Sequence, residues 1–368
     1  MLSNQQRHNA RQILFFGGVW LIGALIYTLI EFGLLGRLDY YPSTTNPYDF
    51  KNSILFTCLA GFLMGCGQGA IEVLWLRRAF RRQKLWVKIV FKSLFYLALI
   101  IAFIFLLAWV TNMRRFNTAP FDPDVLGSLM IFFSKFAFWS VVLYVGTVVV
   151  TALFIAEISQ YLGSGMLMNF FFGRYHRPRR ETRIFMFLDM NQSTHLAESL
   201  GHQAYFALLR EYYATMTDPI LESWGSIYHY VGDEIVVSWT EAQGLERANC
   251  LFCYRKIQEA FDRKAAHFKA RFGLVPAFKA AFHIGEVTSG EIGVVKKDLI
   301  FTGDVLNTTA RILGLCHPLN ASVLASETLV EQLGPQPGIV TEAVGDKSLR
   351  GKEQEVALHR VTFTVAGS

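Results

Sequence analysis

Two aspartates in the C-terminal half of the chain have the type and spacing that metal-dependent chemistry uses. Asp189 ends a short apolar run over residues 183–190, which predicts a buried strand. Asp233 lies in Gly232-Asp233-Glu234 between two β-rich runs, a pattern typical of a hairpin. Adjacent strands would bring the two carboxylates within reach of each other. On spacing alone, the pattern still favours plain structural roles, one acid at a strand end and one in a turn.

The chemistry available to such a pair is phosphoryl or nucleotidyl transfer. Paired carboxylates, completed by substrate phosphates, are a common way to hold Mg²⁺. Two metals roughly 4 Å apart can activate an attacking oxygen and stabilise leaving pyrophosphate. The residues around the two aspartates decide between this chemistry and a structural role.

Four short motifs surround the pair and follow one another in a fixed order. They are residues 187–194 (FLDMNQST), 230–234 (YVGDE), 282–293 (FHIGEVTSGEIG) and 303–311 (GDVLNTTAR). In sequence and order they resemble the class III adenylyl and guanylyl cyclases, over about residues 181–363. The resemblance implies a ferredoxin-like α+β domain that cyclises ATP or GTP and releases pyrophosphate. It also implies two divalent metal ions (Mg or Mn) and catalysis at the interface of a head-to-tail dimer.

The resemblance also implies roles for individual residues. Asp189 and Asp233 match the metal-binding aspartates, and the backbone carbonyl of Met190 matches the one that completes a metal shell. Asn307 matches the residue that orients the ribose, and Arg311 the one that stabilises charge on the reacting phosphate. Residues four apart lie on one helix face, and a guanidinium presents several donors in a fixed fork. Both properties agree with the implied roles of Asn307 and Arg311.

Further substrate contacts follow from the same resemblance. Asp304 lies in the last motif, and residues 349–352 (LRGK) resemble the family's short segment that grips the triphosphate. Arg350 is the closer match to the gripping residue and Lys352 the reserve, although either charge is equally compatible with a solvated surface. In this family the metal pair and the Asn/Arg pair come from different protomers. A homodimer with two equivalent sites is therefore expected, and an inactive monomer.

Purine selection is the point at which the chain departs from the family. Adenylyl cyclases usually have Lys four residues before the second aspartate, where this chain has His229. They usually have Asp or Thr three residues before the glycine of the last motif, where this chain has Ile300. Guanylyl cyclases have Glu and Cys at these positions. His229 can donate or accept a hydrogen bond, but Ile300 can do neither. ATP is the expected substrate because adenylyl cyclases dominate the bacterial members.

Three classes of function remain open. The first is an integral-membrane adenylate cyclase that makes cyclic AMP, with possible regulation through its membrane domain. The second is a guanylate cyclase or a diguanylate cyclase, although residues 231–234 (VGDE) lack the first glycine of the diguanylate signature and the Asn307/Arg311 helix has no counterpart there. The third is a catalytically silent nucleotide-binding receptor or scaffold. His229 and Ile300 favour the third class, whereas the retained aspartates argue against it.

The elements that must position these residues alternate between strands and helices. Helices are expected over residues 193–224, 245–272 and 304–315. Besides the first strand and the hairpin runs at 227–231 and 235–239, strands are expected over residues 277–284, 286–293 and 299–301. This order predicts an α+β sheet with helices on one face.

The N-terminal half has a composition typical of a membrane domain. Of the 368 residues, 52% are hydrophobic, and they concentrate before about residue 172. Four apolar stretches over residues 13–30, 54–76, 89–110 and 136–156 approach or exceed the length of about 20 residues that a bilayer-spanning helix needs. We therefore expect a four-helix membrane domain (1–156), a linker helix (157–180) and a cyclase domain (181–368).

The net charge of +6 is explained by topology rather than by nucleic-acid binding. Twelve Lys and Arg residues lie in the leader, in the link between the second and third apolar stretches, and just after the fourth, against four in the other two links. By the positive-inside rule this places both termini and the cyclase domain in the cytoplasm, with the helices in the plasma (inner) membrane and in contact with its lipid. Nucleoside triphosphates are found on that side.

Polar and small residues within the apolar stretches have two interpretations. Gln68, Glu72 and Lys135 could mark a ligand site, because intramembrane ionisable groups are costly. Glu72 lies close to the basic link, however, and a lysine such as Lys135 can extend its ammonium to the interface. The glycines at positions 61, 65 and 69 recur every four residues and predict close helix packing, within a protomer or across a dimer. Cys250 and Cys253 fit a helix core face rather than a metal or redox site.

Overall fold

The computed structural model describes residues 4–36, 49–80, 83–119, 121–162, 173, 175–295, 297–347 and 355–364. The chain divides into two compact units, an N-terminal unit of Gln6–Leu162 and a C-terminal unit that includes Gly163–Ser368.

The described residues of the N-terminal unit form helices and short connections, with no strand among them. Its helices are α1 (Asn4–Leu35), α2 (Phe50–Ile71), α3 (Leu85–Phe116), α4 (Pro123–Ser134) and α5 (Phe136–Leu162). Helix α2 continues through a π-helical segment, Glu72–Leu76, into Arg77–Ala79. Within the described residues, four segments are long and apolar enough to cross a membrane: Asn9–Leu34, Phe50–Leu76, Leu85–Val110 and Phe138–Ser159. The four predicted apolar stretches are therefore confirmed as long helices.

Helix α4 was not predicted. Its 12 residues are too few to span a bilayer, and the sequence places them between the third and fourth apolar stretches. Local chemistry explains why a helix starts there. The Asp122 side chain accepts a hydrogen bond from the backbone N–H of Asp124, and Pro123 occupies the first helical turn.

The glycines of α2 pack against α1 of the same chain. A Cβ atom added to Gly65 would lie 2.6 Å from the carbonyl oxygen of Phe16, and one added to Gly69 would lie 2.9 Å from the Cα atom of Ile13. Any residue larger than glycine at these two positions would therefore force the two helices apart. The predicted close packing is confirmed, and it occurs within the protomer.

Two neighbouring glycines of α2 provide a matched test of this contact. We expect Gly65→Ala to lower the thermal unfolding temperature of the detergent-solubilised protein, because overpacking costs about 1–3 kcal/mol. Gly67→Ala is the control, since a Cβ atom there meets nothing within 4 Å. It should leave the unfolding temperature unchanged or raise it, because Ala is the better helix former. Equal effects of the two substitutions would contradict the close packing of α2 on α1.

The C-terminal unit contains a sheet of eight strands. The strand order is β2-β3-β1-β4-β6-β8-β7, with β5 paired to β4. All pairs are antiparallel except β4 with β6. The strands are β1 (Arg179–Met190), β2 (Ser226–Val231), β3 (Glu234–Thr240), β4 (Phe278–Ile292), β5 (Asp298–Thr302), β6 (Val323–Ser326), β7 (Ile339–Lys347) and β8 (Val356–Phe363).

Helices cover both faces of this sheet. They are α6 (Ser193–Leu200), α7 (His202–Glu222), α8 (Glu241–Leu245), α9 (Asn249–Arg263), α10 (Ala265–Phe272), α11 (Asp304–Leu315) and α12 (Glu327–Leu333). Helices α7, α9, α10 and α12 share one buried cluster with alternate residues of β1, and α11 shares another with Phe185 and Phe187. The mixed sheet with helices confirms the predicted α+β class. The expectation of helices on one face was wrong, because β1 is apolar on both faces.

Several element bounds differ from the sequence predictions for local reasons. Gly201, at φ +75°, divides the predicted helix over 193–224 into α6 and α7. The predicted helix over 245–272 is interrupted at Arg247 and Ala248, which have positive φ, and again at Lys264. Cys250 and Cys253 are fully buried in the core of this region, which confirms their predicted packing role. Burial raises the pKa of each thiol to about 12.

Candidate active site

The two aspartates lie at the same end of two neighbouring strands. Strands β1 and β3 pair with Leu188 opposite Ile235, so Asp189 and the β2–β3 turn meet at one edge. Val231 pairs with Glu234, which leaves Gly232 and Asp233 as a two-residue turn. Gly232 has φ +63°, a conformation that glycine adopts without a Cβ penalty. The predicted hairpin is confirmed, and it brings the Asp233 carboxylate to the end of β1.

The electrostatics show that the two carboxylates affect each other. Burial raises the pKa of Asp189, and the neighbouring carboxyl group of Asp233 raises it further. Burial raises the pKa of Glu234 to about 7, with additional contributions from Asp189 and Asp233. A cation at this edge would relieve the repulsion between these carboxylates. Lys279 already supplies part of that compensation, since its Nζ atom lies 3.2 Å from Asp189 Oδ2.

The acid pair fits a divalent metal that takes most of its other ligands from elsewhere. Asp233 Oδ2 is buried and has no hydrogen-bond partner among the residues that the structure describes. Those residues also contain no group of three or more His, Cys, Asp or Glu side chains arranged to hold a metal. Two carboxylates completed by waters and substrate phosphates suit Mg²⁺, which does not require an all-protein cage. Met190, whose carbonyl was also predicted to bind metal, is the last residue of β1.

Two residues near the acid pair were not identified from the sequence. Lys279 faces Asp189 because the two are paired in the β1–β4 register. Tyr213, on α7, donates hydrogen bonds to the carbonyl oxygens of Gly232 (2.8 Å) and Glu234 (3.2 Å). It thereby braces the turn on either side of Asp233. The sequence signal for Lys279 is a cation among apolar strand residues, but its partner depends on strand pairing.

The predicted purine-selecting residues lie on strands that contact each other. The backbone N–H of Phe301, on β5, donates a hydrogen bond of 3.1 Å to the hydroxyl of Tyr228 on β2. His229 and Ile300 are the immediate neighbours of these two residues. The rings of Tyr228 and His229 also lie 4.0 Å apart. Strand β5 thus brings Ile300 to the same region of the domain as His229.

The predicted helix over residues 304–315 is confirmed as α11. No hydrogen bond or ion pair joins the side chain of Asn307 or of Arg311 to another residue in the described parts of the chain. Asp304 begins the helix and accepts a hydrogen bond of 3.1 Å from the Thr308 hydroxyl. Asp189 continues the alternation of Phe185 and Phe187, so it lies on the sheet face that α11 covers. Arg350 and Lys352 lie outside the described residues.

Comparison with known proteins agrees with this geometry. The chain is 36% identical over 210 residues to adenylate cyclase 2 of Rhizobium meliloti (strain 1021), a match that covers 57% of this chain and 58% of the relative. It is 24% identical over 181 residues to an adenylate cyclase of Anabaena cylindrica, which covers 48% of this chain and 36% of the relative. The matched region thus spans little more than half of the first relative and about a third of the second. No protein-family model matches the chain.

A solved structure of a bacterial light-regulated adenylyl cyclase shares the fold. The TM-score is 0.51 at 18% sequence identity, over 62% of this chain and 65% of that one. The C-terminal unit therefore has the fold of the class III cyclases. The curated relatives that match the chain are named adenylate cyclases. The described residues before the C-terminal unit contain four helices long and apolar enough to cross a membrane.

Proposed function

We propose that the protein is a membrane-anchored adenylate cyclase, which converts ATP to 3′,5′-cyclic AMP and pyrophosphate at a homodimer interface. The observation that carries the proposal is the meeting of Asp189 and Asp233 at one sheet edge, with a buried Asp233 oxygen lacking a partner among the described residues. The relatives named adenylate cyclase support ATP as the substrate.

Each site residue has a distinct task in this reaction. Asp189, Asp233 and the Met190 carbonyl would hold two divalent ions, Mg²⁺ or Mn²⁺, which when bound neutralise the triphosphate and favour the alkoxide form of the ribose hydroxyl. Asn307 orients the ribose. Arg311 donates hydrogen bonds to the phosphate as charge develops on it.

The remaining contacts define where the nucleotide lies. His229 and Ile300 line the purine, and Asp304 lies at the start of the helix that carries Asn307 and Arg311. Arg350 and Lys352 neutralise the triphosphate. Ile300 offers the purine only an apolar surface, so His229 and backbone groups supply the hydrogen bonds that select the base.

Two features of the catalytic unit support a homodimer. The side chains of Asn307 and Arg311 have no polar partner among the described residues of their own chain, as expected if they complete the site of a second protomer. Large apolar side chains are also exposed near the turns of two hairpins. They are Tyr230 and Val231 in the β2–β3 hairpin, and Val294 and Val295 between β4 and β5. Exposed apolar patches commonly mark protein interfaces.

The N-terminal unit would anchor this dimer in the plasma membrane. We propose that residues 1–156 form the membrane domain, with both termini cytoplasmic, as the distribution of Lys and Arg indicates. Residues 157–180 would connect it to the cyclase domain of residues 181–368. Helix α5 extends into this connecting segment as far as Leu162.

A product assay tests the proposed activity. The purified full-length protein would be given ATP or GTP with Mg²⁺ or Mn²⁺, and the products separated by chromatography. Cyclic AMP from ATP is the expected product. Cyclic GMP would assign a guanylate cyclase, and cyclic di-GMP a diguanylate cyclase. No product with either nucleotide and either metal would assign a silent nucleotide-binding receptor or scaffold.

A further inference from the structure

A cluster of four charged residues, three of them buried and one partly exposed, lies between three helices of the N-terminal unit. This charge cluster consists of Glu72, which follows α2, Lys88 and Lys92 on α3, and Glu157 on α5. Lys92 Nζ donates hydrogen bonds to Glu72 Oε1 and, at 2.8 Å, to Glu157 Oε1. Lys88 Nζ lies 3.1 Å from the other oxygen of Glu157. The side chain of Lys92 is only 1% exposed, and those of Glu72 and Glu157 are 5% and 4% exposed.

Neutral polar groups extend the cluster toward α1. The Tyr96 hydroxyl donates toward the backbone carbonyl oxygen of Gln68 (3.2 Å) and toward Glu72 Oε2 (3.3 Å). The indole N–H of Trp20 donates to Gln68 Oε1 at 2.6 Å. Glu72 is also the first residue of the π-helical segment of α2, and such segments occur frequently at functional sites. The cluster thus connects α1, α2, α3 and α5 through one polar network.

The charged groups lie inside the segments that are long and apolar enough to span a membrane. Lys92 is seven residues from the start of the Leu85–Val110 segment, which corresponds to a depth of about 10 Å along the helix. Glu157 lies two residues before the end of the Phe138–Ser159 segment. Ionisable groups at such positions are costly unless paired, and they are usually functional. With two acidic and two basic side chains, the formal charges of the cluster sum to zero.

Anchoring alone does not explain this arrangement. Well-packed apolar residues of similar volume hold helices together at least as well as a buried ion pair does. An ion pair differs because its attraction requires one specific alignment of the two helices. Lys92 sits between a carboxylate on each neighbouring helix, so its two hydrogen bonds exist together only when α2, α3 and α5 are in register.

We propose that the charge cluster is a coupling element that sets the rate of the cyclase by fixing the position of α5 against α2 and α3. Helix α5 continues without interruption from Glu157 to Leu162, from which the chain leads directly into the C-terminal unit. A change in the pairing of Glu157 therefore alters how this helix leaves the membrane unit. The proposal rests on the proposed cyclase activity, which provides its readout.

The test compares steady-state kcat at saturating nucleotide for neutralised variants of the full-length protein. Glu72→Gln, Lys92→Gln and Glu157→Gln each leave an ammonium or a carboxylate without its full set of partners. We expect each to change kcat at least threefold, and all three in the same direction, because they release the same alignment of helices. The double variant Glu72→Gln/Lys92→Gln removes one charge of each sign and leaves Glu157 paired with Lys88. Because it also removes both hydrogen bonds that Lys92 makes, its kcat should still differ from the parent at least threefold and in the same direction, although its charge balance is restored.

Two controls separate coupling from a loss of stability. Leu153→Ala removes a buried apolar side chain on α5, one turn before Glu157, without changing charge. It should lower the thermal unfolding temperature as the neutralised variants do, while kcat stays within twofold of the parent. Lys51→Gln removes an exposed lysine at the other end of α2 and should change neither quantity.

The outcomes distinguish this proposal from the proposed function. A parent protein that forms no cyclic nucleotide overturns the proposed function and the coupling proposal with it. An active parent whose neutralised variants keep the parent kcat overturns coupling alone. The coupling proposal would also be overturned if Leu153→Ala changed kcat as much as Glu157→Gln does. General destabilisation would then explain the effects of both substitutions. If the single variants are too unstable to purify, a double variant that folds and keeps the parent kcat would also count against the proposal.

Discussion

Replacing Asp233 with Asn is expected to reduce cyclic-nucleotide formation by a factor on the order of 10³ or more, because a metal that stabilises several kcal/mol of developing charge would lose a ligand. The amide keeps the size of the carboxylate but removes its negative charge. Asp233 Oδ2 is buried and has no hydrogen-bond partner among the described residues, so the substitution breaks no bond made by that oxygen. The measurement is the steady-state rate with saturating ATP and Mn²⁺.

Stability distinguishes loss of the site from loss of the fold in this experiment. In the metal-free protein, Asp233 raises the pKa of Asp189, which means that the two carboxylates destabilise each other. Asp233→Asn should therefore leave the metal-free unfolding temperature unchanged or slightly higher. Asp218→Asn, at an exposed aspartate on α7, is the matched control and should retain the parent rate. An inactive variant that also unfolds at lower temperature would not support a metal role for Asp233.

The acid pair was predictable because both residues lie next to strong local signals. The apolar run before Asp189 and the β-rich runs around Gly232 each identify a strand without tertiary information. The antiparallel pairing of β1 with β3 then brings the two carboxylates together. The helix that carries Asn307 and Arg311 was also predictable, since α11 has the expected bounds, whereas the roles of the two residues stay predictions from the family resemblance.

Strand β4 shows why the prediction of two separate strands over residues 277–284 and 286–293 was wrong. Gly285 suggested a break between two strands, but β4 is continuous from Phe278 to Ile292. A Cβ atom on Gly285 would lie 2.6 Å from a methyl carbon of Val305, the second residue of α11. The glycine therefore permits close packing of a helix on the strand, and a sequence pattern does not distinguish that use from a turn.

The polar contacts depend most on tertiary structure. Lys279 faces Asp189 only because of the β1–β4 register. In the membrane unit, Glu72 and Glu157 are 85 positions apart in sequence, and Lys92 joins them. Hydropathy identified the helices on which these residues lie, but it carries no information on which helix faces meet. The sequence therefore suggested that Glu72 lies near a basic link, whereas the structure gives it a buried lysine partner.

Mixing two inactive variants provides the second test of large effect. Arg311→Ala is expected to lower the rate by about 10²–10³, the usual cost of removing one donor to developing charge. Asp233→Ala is expected to be at least as damaging. In the proposed dimer each site takes its aspartates from one protomer and its Asn and Arg from the other. A heterodimer of the two variants would then contain one site with every group intact.

The expected recovery follows from how the protomers combine. When the two variants are co-expressed in equal amounts, random pairing makes half of the dimers heterodimers, each with one of two sites intact. Total activity should then reach about a quarter of the parent value. Co-expression of Asp233→Ala with Asp189→Ala is the matched negative control, since both sites of that heterodimer lack a metal ligand. Recovery with the first combination and not the second requires that the metal-binding and phosphate-binding halves act across the interface. If neither combination recovers activity, although heterodimers form, both halves of the site belong to one protomer and the shared-site dimer is wrong.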